Sequence, residues 1–382
     1  MSSAERFVMI SDSRLGRTSS GQIGTSNPGL LGDGWKRGLM LPEMTFAARV
    51  DPHLGSASAP MDVSVSPLPY YIGLRQFFRE LPRTWITIFR LVRSNDVTIS
   101  RVPGLVGVLT VASAVITSRP LALEVVGDPR DSLMGSRVRD RVLSSVGALV
   151  TRWAVRQADA VRYVTQRTLQ SSFPAKEGAA SIAFSSVQSA AWFTTPKGQE
   201  SPDPRIVAVG SQDMMYKGHD LLIRALPEIR RRVPGTVLSL IGDGRLQGQL
   251  RALAVEMRVG PHVEFVGHLS ERREVIERVD SAWVFAMPSR TEGLPRALVE
   301  AMARGKACVA TRVGGIPELL AEESLVDAED VPGLVDEISK LLVNDSLRKS
   351  RGIDSLKRAG IFHPQELEVR AGEWANAVRR LR

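Results

Sequence analysis

The stretch Trp283-Val-Phe-Ala-Met287 is followed directly by Pro288-Ser-Arg-Thr-Glu-Gly-Leu-Pro-Arg-Ala-Leu-Val-Glu300, and this order of residues decides the fold. The first five residues are apolar and predict a buried β-strand. Gly293 and Pro295 mark the end of a loop, because proline suits the first turn of a helix, where its missing N–H costs nothing. We therefore predict a strand, a loop and a helix from about Pro295 to Ala303.

The same strand, loop and helix unit repeats through the second half of the chain. Its other predicted strands are Ile206–Val209, Val237–Ile241, Val263–Val266 and Ala307–Thr311. Its other predicted helices are Asp220–Arg232, Leu246–Met257, Arg272–Arg278 and one from about Pro317. Strands that alternate with helices are typical of a parallel sheet, so this half is predicted to be a doubly wound α/β domain.

The first half shows the same alternation less regularly. Its predicted strands are Phe7–Ser11, Asp96–Ser100, Leu121–Val126 and Ala160–Val164. Its predicted helices are Tyr71–Arg93 with a break at Pro82, Leu105–Thr117 and Arg137–Ala158. The segments 13–24 and 51–69 are rich in Gly, Ser or Pro and are predicted to be loops. The length of 382 residues predicts two domains, and the mixed segment Ser185–Pro204 is the expected boundary.

The composition is that of a globular protein, with 43% hydrophobic and 24% charged residues. A single cysteine, Cys308, excludes an intramolecular disulfide and any zinc site built from several cysteines. The stretch Leu105–Thr117 falls short of the roughly 20 residues that span a bilayer. The residues before Phe7 do not lead into the apolar region of a signal peptide. We expect a cytoplasmic protein.

The positive charge is concentrated in the first half of the chain. Residues 1–200 carry 23 Lys and Arg against 15 Asp and Glu, whereas residues 201–382 carry 27 against 26. The helix Tyr71–Arg93 mixes large apolar residues with arginines, a pattern that suits an interfacial helix on anionic lipid. Its basic residues are Arg75, Arg79, Arg83, Arg90 and Arg93, and Arg137, Arg139 and Arg141 extend the predicted patch. A core helix with a solvated charged face is the alternative.

Nucleic acid is not expected as a partner, because aromatic residues are only 5% of the chain and no recognition motif is present.

Charged side chains follow two of the predicted strands in the second half. Lys217 precedes Gly218 after the strand Ile206–Val209, and Glu292 follows the strand Trp283–Met287. Ligands bind outside the carboxyl ends of such strands, and the N–H groups and dipole at a helix start favour an anion. A diphosphate flanked by Glu292 and Glu300, each accepting hydrogen bonds from hydroxyls, matches the layout of a nucleotide sugar. Taken alone, Lys217 or the two glutamates would favour interpretation as ordinary surface residues.

Three further strand ends carry glycine-bearing loops. These are Gly242-Asp-Gly-Arg245, Gly267-His268-Leu269, where backbone is able to meet a base, and Gly314-Gly315, a second candidate anion site. Five such loops at successive strand ends indicate a ligand site more strongly than any single loop.

The combination of these motifs resembles the retaining glycosyltransferases of family 4. The matching elements are Gly210…Lys217-Gly218, Gly242-Asp-Gly244, Gly267-His268-Leu269, Pro288-Ser289…Glu292-Gly-Leu-Pro…Glu300-Ala301 and Gly314-Gly315…Pro317-Glu318. Their order and spacing match through the second half of the chain. The first half is similar more loosely, and Leu121–Pro129 and Ala158–Thr165 look like members that build bacterial exopolysaccharides.

The resemblance implies a GT-B architecture of two Rossmann-like, doubly wound parallel-sheet domains with a C-terminal crossover helix and the site in the cleft between the domains. The domains would be residues 1–195 for the acceptor, residues 205–363 for the nucleotide sugar, and residues 364–382 for the helix that returns to the N-terminal domain. The activity implied is metal-independent, cofactor-free transfer of a sugar with retention of configuration.

The resemblance also implies roles for individual residues. Glu292 would act in catalysis on the donor sugar, Glu300 would bind the ribose, and Lys217 would bind the diphosphate. The remaining donor-binding residues would be Gly218, Gly242, Gly267, His268, Ser289, Gly293, Leu294, Pro295, Gly314 and Gly315. The arginine that the family usually places after its first glycine is Ser211 here, and Arg290 and Arg296 are the candidates to replace its charge at the phosphate.

The first half offers one candidate catalytic residue, Asp128 in Gly127-Asp128-Pro129, for contact with the donor sugar or the acceptor hydroxyl. A turn-forming role before Pro129 is the alternative. An inverting enzyme would need a general base instead, for which His53, Asp12 and Asp128 are the candidates.

We expect a glycosyltransferase that uses a UDP- or GDP-sugar and a saccharide or polyprenyl-linked acceptor, peripheral to the inner face of the cell membrane. The alternatives are a non-catalytic nucleotide-sugar-binding protein, a transferase that acts on a small natural product, and a phosphorylase of the same architecture.

Overall fold

The computed structural model describes residues 6–25, 41, 44–57, 59–61, 63–132, 138–185, 191–193 and 200–382. It divides into two compact units, one formed by residues 1–186 with 365–382 and the other by residues 187–364. The division falls at the start of the segment Ser185–Pro204, where the composition changes. Arg137 lies outside the described residues, as do the side chains of Arg139 and Arg141.

The first unit is built on a mainly parallel sheet. Its described strands are β1 (Phe7–Arg17), β2 (Ile23–Thr25), β3 (Met44–Leu54), β4 (Ala59–Pro60), β5 (Val65–Leu68), β6 (Val97–Val102), β7 (Leu121–Val125), β8 (Ala160–Tyr163) and β9 (Ala180–Ala183). The parallel strands lie in the order β5-β3-β1-β6-β7-β8-β9, so the direction in which the sheet grows reverses between β1 and β6. Its described helices are α1 (Gly73–Ser94), α2 (Leu105–Thr117), α3 (Pro129–Ser132), α4 (Val138–Gln157) and α5 (Thr168–Ser172).

Two segments predicted to be loops contain strands. Strand β1 continues to Arg17 and pairs antiparallel with β2, so the prediction of a loop at 13–24 was wrong for most of that segment. Residues 51–69 contain the end of β3, β4 and β5. Strand β5 lies at the edge of the sheet, where proline is tolerated, and Pro67 is part of it. Pairing with distant strands determines the β-structure of both segments. Their polar composition gives no sign of that pairing.

The second unit is built on one parallel sheet. Its strands are β10 (Arg205–Val209), β11 (Val237–Ile241), β12 (Val263–Gly267), β13 (Val284–Met287), β14 (Ala307–Thr311) and β15 (Leu325–Val326). They lie in the order β12-β11-β10-β13-β14-β15, and the order reverses between β10 and β13. Its helices are α6 (His219–Arg232), α7 (Gln247–Glu256), α8 (Arg272–Asp280), α9 (Arg296–Ala303), α10 (Val331–Val343) and α11 (Asp345–Ala359).

Two predicted helix features differ from the structure. Helix α1 runs through Pro82 without ending there. The helix expected from Pro317 is a single 3₁₀ turn, Ile316–Glu318. Only six residues separate that turn from β15, which leaves no room for a longer helix before the chain rejoins the sheet.

The cores of the two units form from apolar strand runs covered by helices. In the second unit, Leu238, Val284 and Val309 pack with helical residues such as Leu222 and Ile338. In the first unit, the strand residues Phe7, Met9 and Phe46 pack with Trp374 of α12 (Pro364–Arg379). The last helix of the chain therefore completes the core of the first unit. Among the helices of the described residues, none is both long enough and apolar enough to cross a membrane.

Candidate nucleotide-sugar site

The strand-order reversal of the second unit brings Lys217 and Glu292 together. Lys217 follows β10 and Glu292 follows β13, the two strands between which the order reverses. The Lys217 Nζ lies 2.6 Å from Glu292 Oε1, and the Ser289 Oγ donates to the same oxygen at 2.8 Å. The exposed fraction of the side chain is 17% for Lys217 and 8% for Glu292. This place in an open α/β sheet is where ligands bind, so the pair marks the candidate site.

Neighbouring loops fix the backbone around Glu292. A Cβ atom on Gly314, whose φ is +51°, would lie 1.7 Å from the carbonyl oxygen of Glu292. The N–H of Gly315 donates to the carbonyl of Gly293 at 2.8 Å, and the hydroxyl of Thr311 donates to the carbonyl of Ser289. Glycine at 314 is therefore required both by its backbone conformation and by close packing.

The loop of Lys217 is held against the same strand end. The φ of Gly218 is +70°, and a Cβ there would lie 1.9 Å from the carbonyl oxygen of Pro288. The N–H of Arg290 donates to the carbonyl of Tyr216 at 2.7 Å. The loops after β10, β13 and β14 thus form one connected framework around the Lys217–Glu292 pair.

The start of α9 is open for an acceptor of hydrogen bonds. Pro295 is its N-cap residue, and within the described structure no side chain caps this helix end. The free N–H groups of the first turn, together with the helix dipole, favour an anion there. Gly293, Leu294 and Pro295 lie between Glu292 and this helix start, as the sequence indicates.

Glu300 lies in the second turn of α9 and is half-buried. Burial raises the pKa of its carboxyl above the ordinary value, and the cations Arg296 and Arg272 act in the opposite direction. A half-buried carboxyl with such a shift is typical of a functional position.

Arg290 is fully engaged by protein groups. Its Nε and Nη2 donate to the carboxylate of Glu329, its Nη1 and Nη2 donate to Asp220, and its Nη1 also donates to the carbonyl of Met215. A guanidinium has five N–H donors, and all five have partners here. The structure therefore favours a structural role for Arg290 over the predicted phosphate contact. Arg296 is exposed at the first position of α9.

Sequence reasoning missed Arg245 as a cation near the position of the expected arginine. The Ser211 Oγ donates to Asp213 Oδ2 at 3.0 Å, and Asp213 Oδ1 accepts the N–H of Arg245 at 3.2 Å. The Arg245 Nε donates to the carbonyl of Asp213 at 2.8 Å. The tight Gly242–Gly244 loop thus brings an exposed arginine to the loop of Ser211. The sequence signal that could have identified Arg245 is its position directly after Gly-Asp-Gly at the end of a predicted strand.

The predicted base-side residues lie on the outer strands. The N–H of Gly242 donates to the carbonyl of Gly267 at 2.9 Å, which links the ends of β11 and β12. The next residue, His268, is exposed. These two strands lie on one side of β10, and the Glu292 loop lies on the other.

His219 is a second residue that sequence reasoning missed. It is the first residue of α6, follows the Lys217-Gly218 pair and is 4% exposed. Burial and the neighbouring Lys217 lower its pKa to about 4, with Asp220 acting in the opposite direction. His219 is therefore neutral near pH 7.

In the first unit, Asp128 is held by its own neighbours. Its Oδ1 accepts the N–H of Arg130 at 2.9 Å, and its carboxylate also pairs with the guanidinium of Arg130. Arg130 donates in addition to Ser172 Oγ at 3.1 Å. This geometry favours the turn-forming interpretation of Asp128, at the start of α3, over the catalytic one.

Asp12 lies where the strand order of the first unit reverses. Its Oδ2 accepts the N–H of Val106 at 3.3 Å, at the start of α2. Tyr71 donates to Oδ1 at 3.4 Å, and the guanidinium of Arg49 donates to the backbone carbonyl of Asp12. Burial raises the pKa of Asp12, while Arg49 lowers it in part.

The described residues assemble no group of three or more His, Cys, Asp and Glu side chains suited to a metal ion.

Solved structures with the same architecture are glycosyltransferases. The sucrose-phosphate synthase from Thermosynechococcus elongatus aligns over 99% of this chain and 100% of its own, with a TM-score of 0.74 and 17% identity. Anabaena HepE in complex with UDP-glucose aligns over 97% and 99%, with a TM-score of 0.70 and 15% identity. At such identity the likeness shows the fold alone, and that fold is GT-B, as predicted.

Similarity in sequence to known proteins is concentrated in the second unit. Residues 203–344 match the model described as Glycosyl transferases group 1. The GDP-mannose-dependent alpha-(1-6)-phosphatidylinositol monomannoside mannosyltransferase of Mycolicibacterium smegmatis is 36% identical over 161 residues, which are 40% of this chain and 42% of that protein. The alignment thus spans less than half of this relative. The second unit is thus similar in sequence to the group 1 glycosyltransferases.

Proposed function

We propose that the chain transfers a sugar from a UDP- or GDP-sugar to a hydroxyl of a saccharide or lipid-linked saccharide, with retention of configuration and without a metal ion. The observation that carries the proposal is the Lys217–Glu292 pair beside the open start of α9. A nucleotide sugar needs a cation and N–H donors for its diphosphate and a carboxylate for its sugar hydroxyls, and all three kinds of group lie together here.

In this proposal the donor replaces the internal partner of each charged group. The Lys217 ammonium and the N–H groups at the start of α9 bind the diphosphate. Glu292, released from Lys217 and still hydrogen-bonded to Ser289, accepts a hydroxyl of the donor sugar. Glu300 accepts the ribose hydroxyls. As the bond to the sugar breaks, charge grows on the diphosphate, and fixed cations and dipoles stabilise it without a metal.

Arg245 and Arg296 are the cations that we assign to the remaining phosphate charge in place of the arginine missing at Ser211. Both are exposed, and Arg245 is attached to the Ser211 loop by its backbone N–H and its Nε. Arg290 is left out of this assignment because Asp220 and Glu329 already neutralise it.

The names of relatives support both donors and a lipid acceptor. The mannosyltransferase relative is named for GDP-mannose and for a phosphatidylinositol monomannoside, whereas HepE was solved with UDP-glucose. We therefore keep UDP- and GDP-sugars as donors. A polyprenyl-linked or other lipid-linked acceptor in polysaccharide synthesis, used at the cytoplasmic face of a membrane, is the acceptor that we propose.

A thermal-shift panel of UDP-, GDP- and TDP-sugars tests donor binding. We expect one nucleotide class to stabilise the protein and Lys217→Met to weaken its binding about ten- to hundredfold, the usual effect of losing a hydrogen bond to a charged group. Lys340→Met is the matched control, since Lys340 is exposed on α10 and pairs only locally with Glu337. If no nucleotide sugar stabilises the protein, or if both variants behave alike, the proposal fails.

A further inference from the structure

Helix α1 exposes large apolar side chains outside the face that packs on the core. Phe77, Thr84, Ile88 and Val92 are buried against the first unit. The exposed fraction is 64% for Phe78, 40% for Trp85 and 51% for Ile86. These three residues are too large and too close together to be the scattered apolar residues of an ordinary surface.

A groove lies between this face and the end of α2. It has a volume of about 980 Å³ and is lined by Trp85, Ile86 and Phe89 of α1, by Ile116 of α2, and by Arg90 and Arg93 at its edge. Ile116 is itself 62% exposed. The apolar surface is thus concave and is shared by two helices.

A cationic stripe borders the apolar one. Helix α1 contains five arginines and a single acidic residue, Glu80. At 100° per residue the arginines fall beside the exposed apolar residues on the outer half of the helix, and all five are exposed: Arg75, Arg79, Arg83, Arg90 and Arg93. An apolar stripe with a basic border is the pattern of a helix that lies in the interface of a membrane.

We propose that this α1–α2 surface docks on a bilayer that contains anionic phospholipid. Phe78, Trp85 and Ile86 enter the boundary of the acyl chains, and the arginines contact lipid phosphates. The proposal stands independently of the transfer reaction, because none of these residues belongs to the candidate nucleotide-sugar site.

Charge distinguishes this occupant from the others. A second copy of the chain would bind through a twofold interface that places one arginine stripe against another, with only one glutamate on each side to compensate. Nucleic acid would satisfy the arginines but leave Trp85, Ile86 and Phe78 in water. An anionic bilayer offers acyl chains to the apolar stripe and lipid phosphates to the arginines, and the two lie next to each other at its surface.

Vesicle flotation of the full chain tests the proposal. We expect binding to vesicles of phosphatidylcholine with phosphatidylglycerol and little binding to phosphatidylcholine alone. The triple variant Arg79→Gln, Arg83→Gln, Arg90→Gln should bind about a hundredfold more weakly, because each arginine near an anionic surface contributes about a fivefold gain. The double variant Trp85→Ser, Ile86→Ser should lose about tenfold or more.

Matched controls are available in the second unit. Arg273 is 89% exposed as a side chain, and Val255 and Ile353 are 72% and 71% exposed. Arg273→Gln and the double variant Val255→Ser, Ile353→Ser should bind vesicles as the parent does. Equal binding by the parent and the α1 variants would overturn the proposal, and so would absence of binding to anionic vesicles. A shift from dimer to monomer in Trp85→Ser, Ile86→Ser, measured by light scattering, would overturn it in favour of a second copy.

Quenching by brominated lipid tests the depth of Trp85 directly. Tryptophan fluorescence of the parent should be quenched on binding to anionic vesicles with brominated acyl chains. Trp85→Phe should still float with the vesicles and should lose a large part of that quenching. Unchanged quenching in Trp85→Phe would show that this side chain does not enter the bilayer and would contradict the assigned orientation.

Discussion

The two sheets each reverse their strand order at one place, between β1 and β6 in the first unit and between β10 and β13 in the second. The two places are filled differently. In the first unit, a carboxylate of the chain itself, Asp12, accepts the N–H of Val106 at the start of α2. In the second unit, the start of α9 has no side-chain cap among the described residues, and a lysine and a glutamate stand beside it.

The difference shows how one architecture makes a closed and an open anion site. The first unit places its own carboxylate at its helix start, and Tyr71 and Arg49 contact the same aspartate. The second unit leaves its helix start for a ligand and holds its charges in a framework of glycine-bearing loops. The location of a strand-order reversal is therefore not sufficient to define a binding site. The side chains at that location determine whether a ligand is able to bind there.

The largest expected effect is that of Glu292→Gln on transfer. Removing the carboxylate charge while keeping its shape should lower the rate of transfer about a hundred- to thousandfold, the usual effect of losing one stabilising group at a reacting centre. Nucleotide binding should change little, since Lys217 remains. Radiolabel transfer and nucleotide titration measure the two quantities. The control is Glu271→Gln on the exposed start of α8, and near-normal turnover of Glu292→Gln would contradict the assigned role.

Gly314→Ala tests whether the open site depends on its loop framework. The new Cβ would lie 1.7 Å from the carbonyl oxygen of Glu292 at a φ of +51°, so backbone must move. We expect the free energy of unfolding to fall by about 3 kcal/mol or more, measured by chemical denaturation. Gly248→Ala in α7 has open space around it and should be neutral or slightly stabilising. Equal stability of the two variants would show that the loops are not tightly packed.

Acid should destabilise the open site through His219. Its pKa is lowered to about 4 in the folded chain, so the unfolded chain binds the proton more readily. The stability that this neutral imidazole contributes is present above about pH 6.5 and is lost as the pH falls toward 4, up to about 3 kcal/mol. His219→Gln should flatten the dependence of the unfolding free energy on pH over this range, whereas His268→Gln on the exposed loop should not. An unchanged slope in His219→Gln would contradict the burial of a neutral imidazole.

The smallest expected effect is that of Asp12→Asn in the closed site. The helix dipole at the start of α2 favours the charge of Asp12, whereas burial raises its pKa and disfavours the charge, so the two effects oppose each other and the unfolding free energy should change by about 1 kcal/mol or less. Donor affinity and transfer should remain close to those of the parent. If transfer instead falls as far as in Glu292→Gln, the first unit also contributes a catalytic carboxylate, and the contrast between the two sites disappears.

The second unit was predicted well because its strands β10 to β14 are short, apolar and followed by glycine-bearing loops. The bounds of β11 and β14 agree with the prediction, and those of β10, β12 and β13 differ by one residue. The extension of β1 and the strands within 51–69 were not predictable, since polar residues there join the sheet through partners up to about 40 residues away.

The site was predictable as a set of residues and not as a set of contacts. Lys217 and Glu292 were each identified from their loops, but their ion pair joins residues 75 positions apart. The partners of Arg290 lie 39 and 70 positions away, and only the structure shows that they neutralise it. Side-chain pairing over such separations depends on strand order, which periodicity does not reveal. The assigned roles of Glu292, Glu300 and Lys217 in binding and catalysis stay predictions.

Helix α12 has a consequence for how the chain reaches its folded state. Trp374, Ala375 and Val378 are fully buried in the core that includes Phe7 and Phe46. The ribosome makes the first unit first, but that unit has to wait for the last residues of the chain before its core closes. Residues 187–364, by contrast, form a contiguous segment that can fold during synthesis. The half of the molecule that is translated first is thus the half that is finished last.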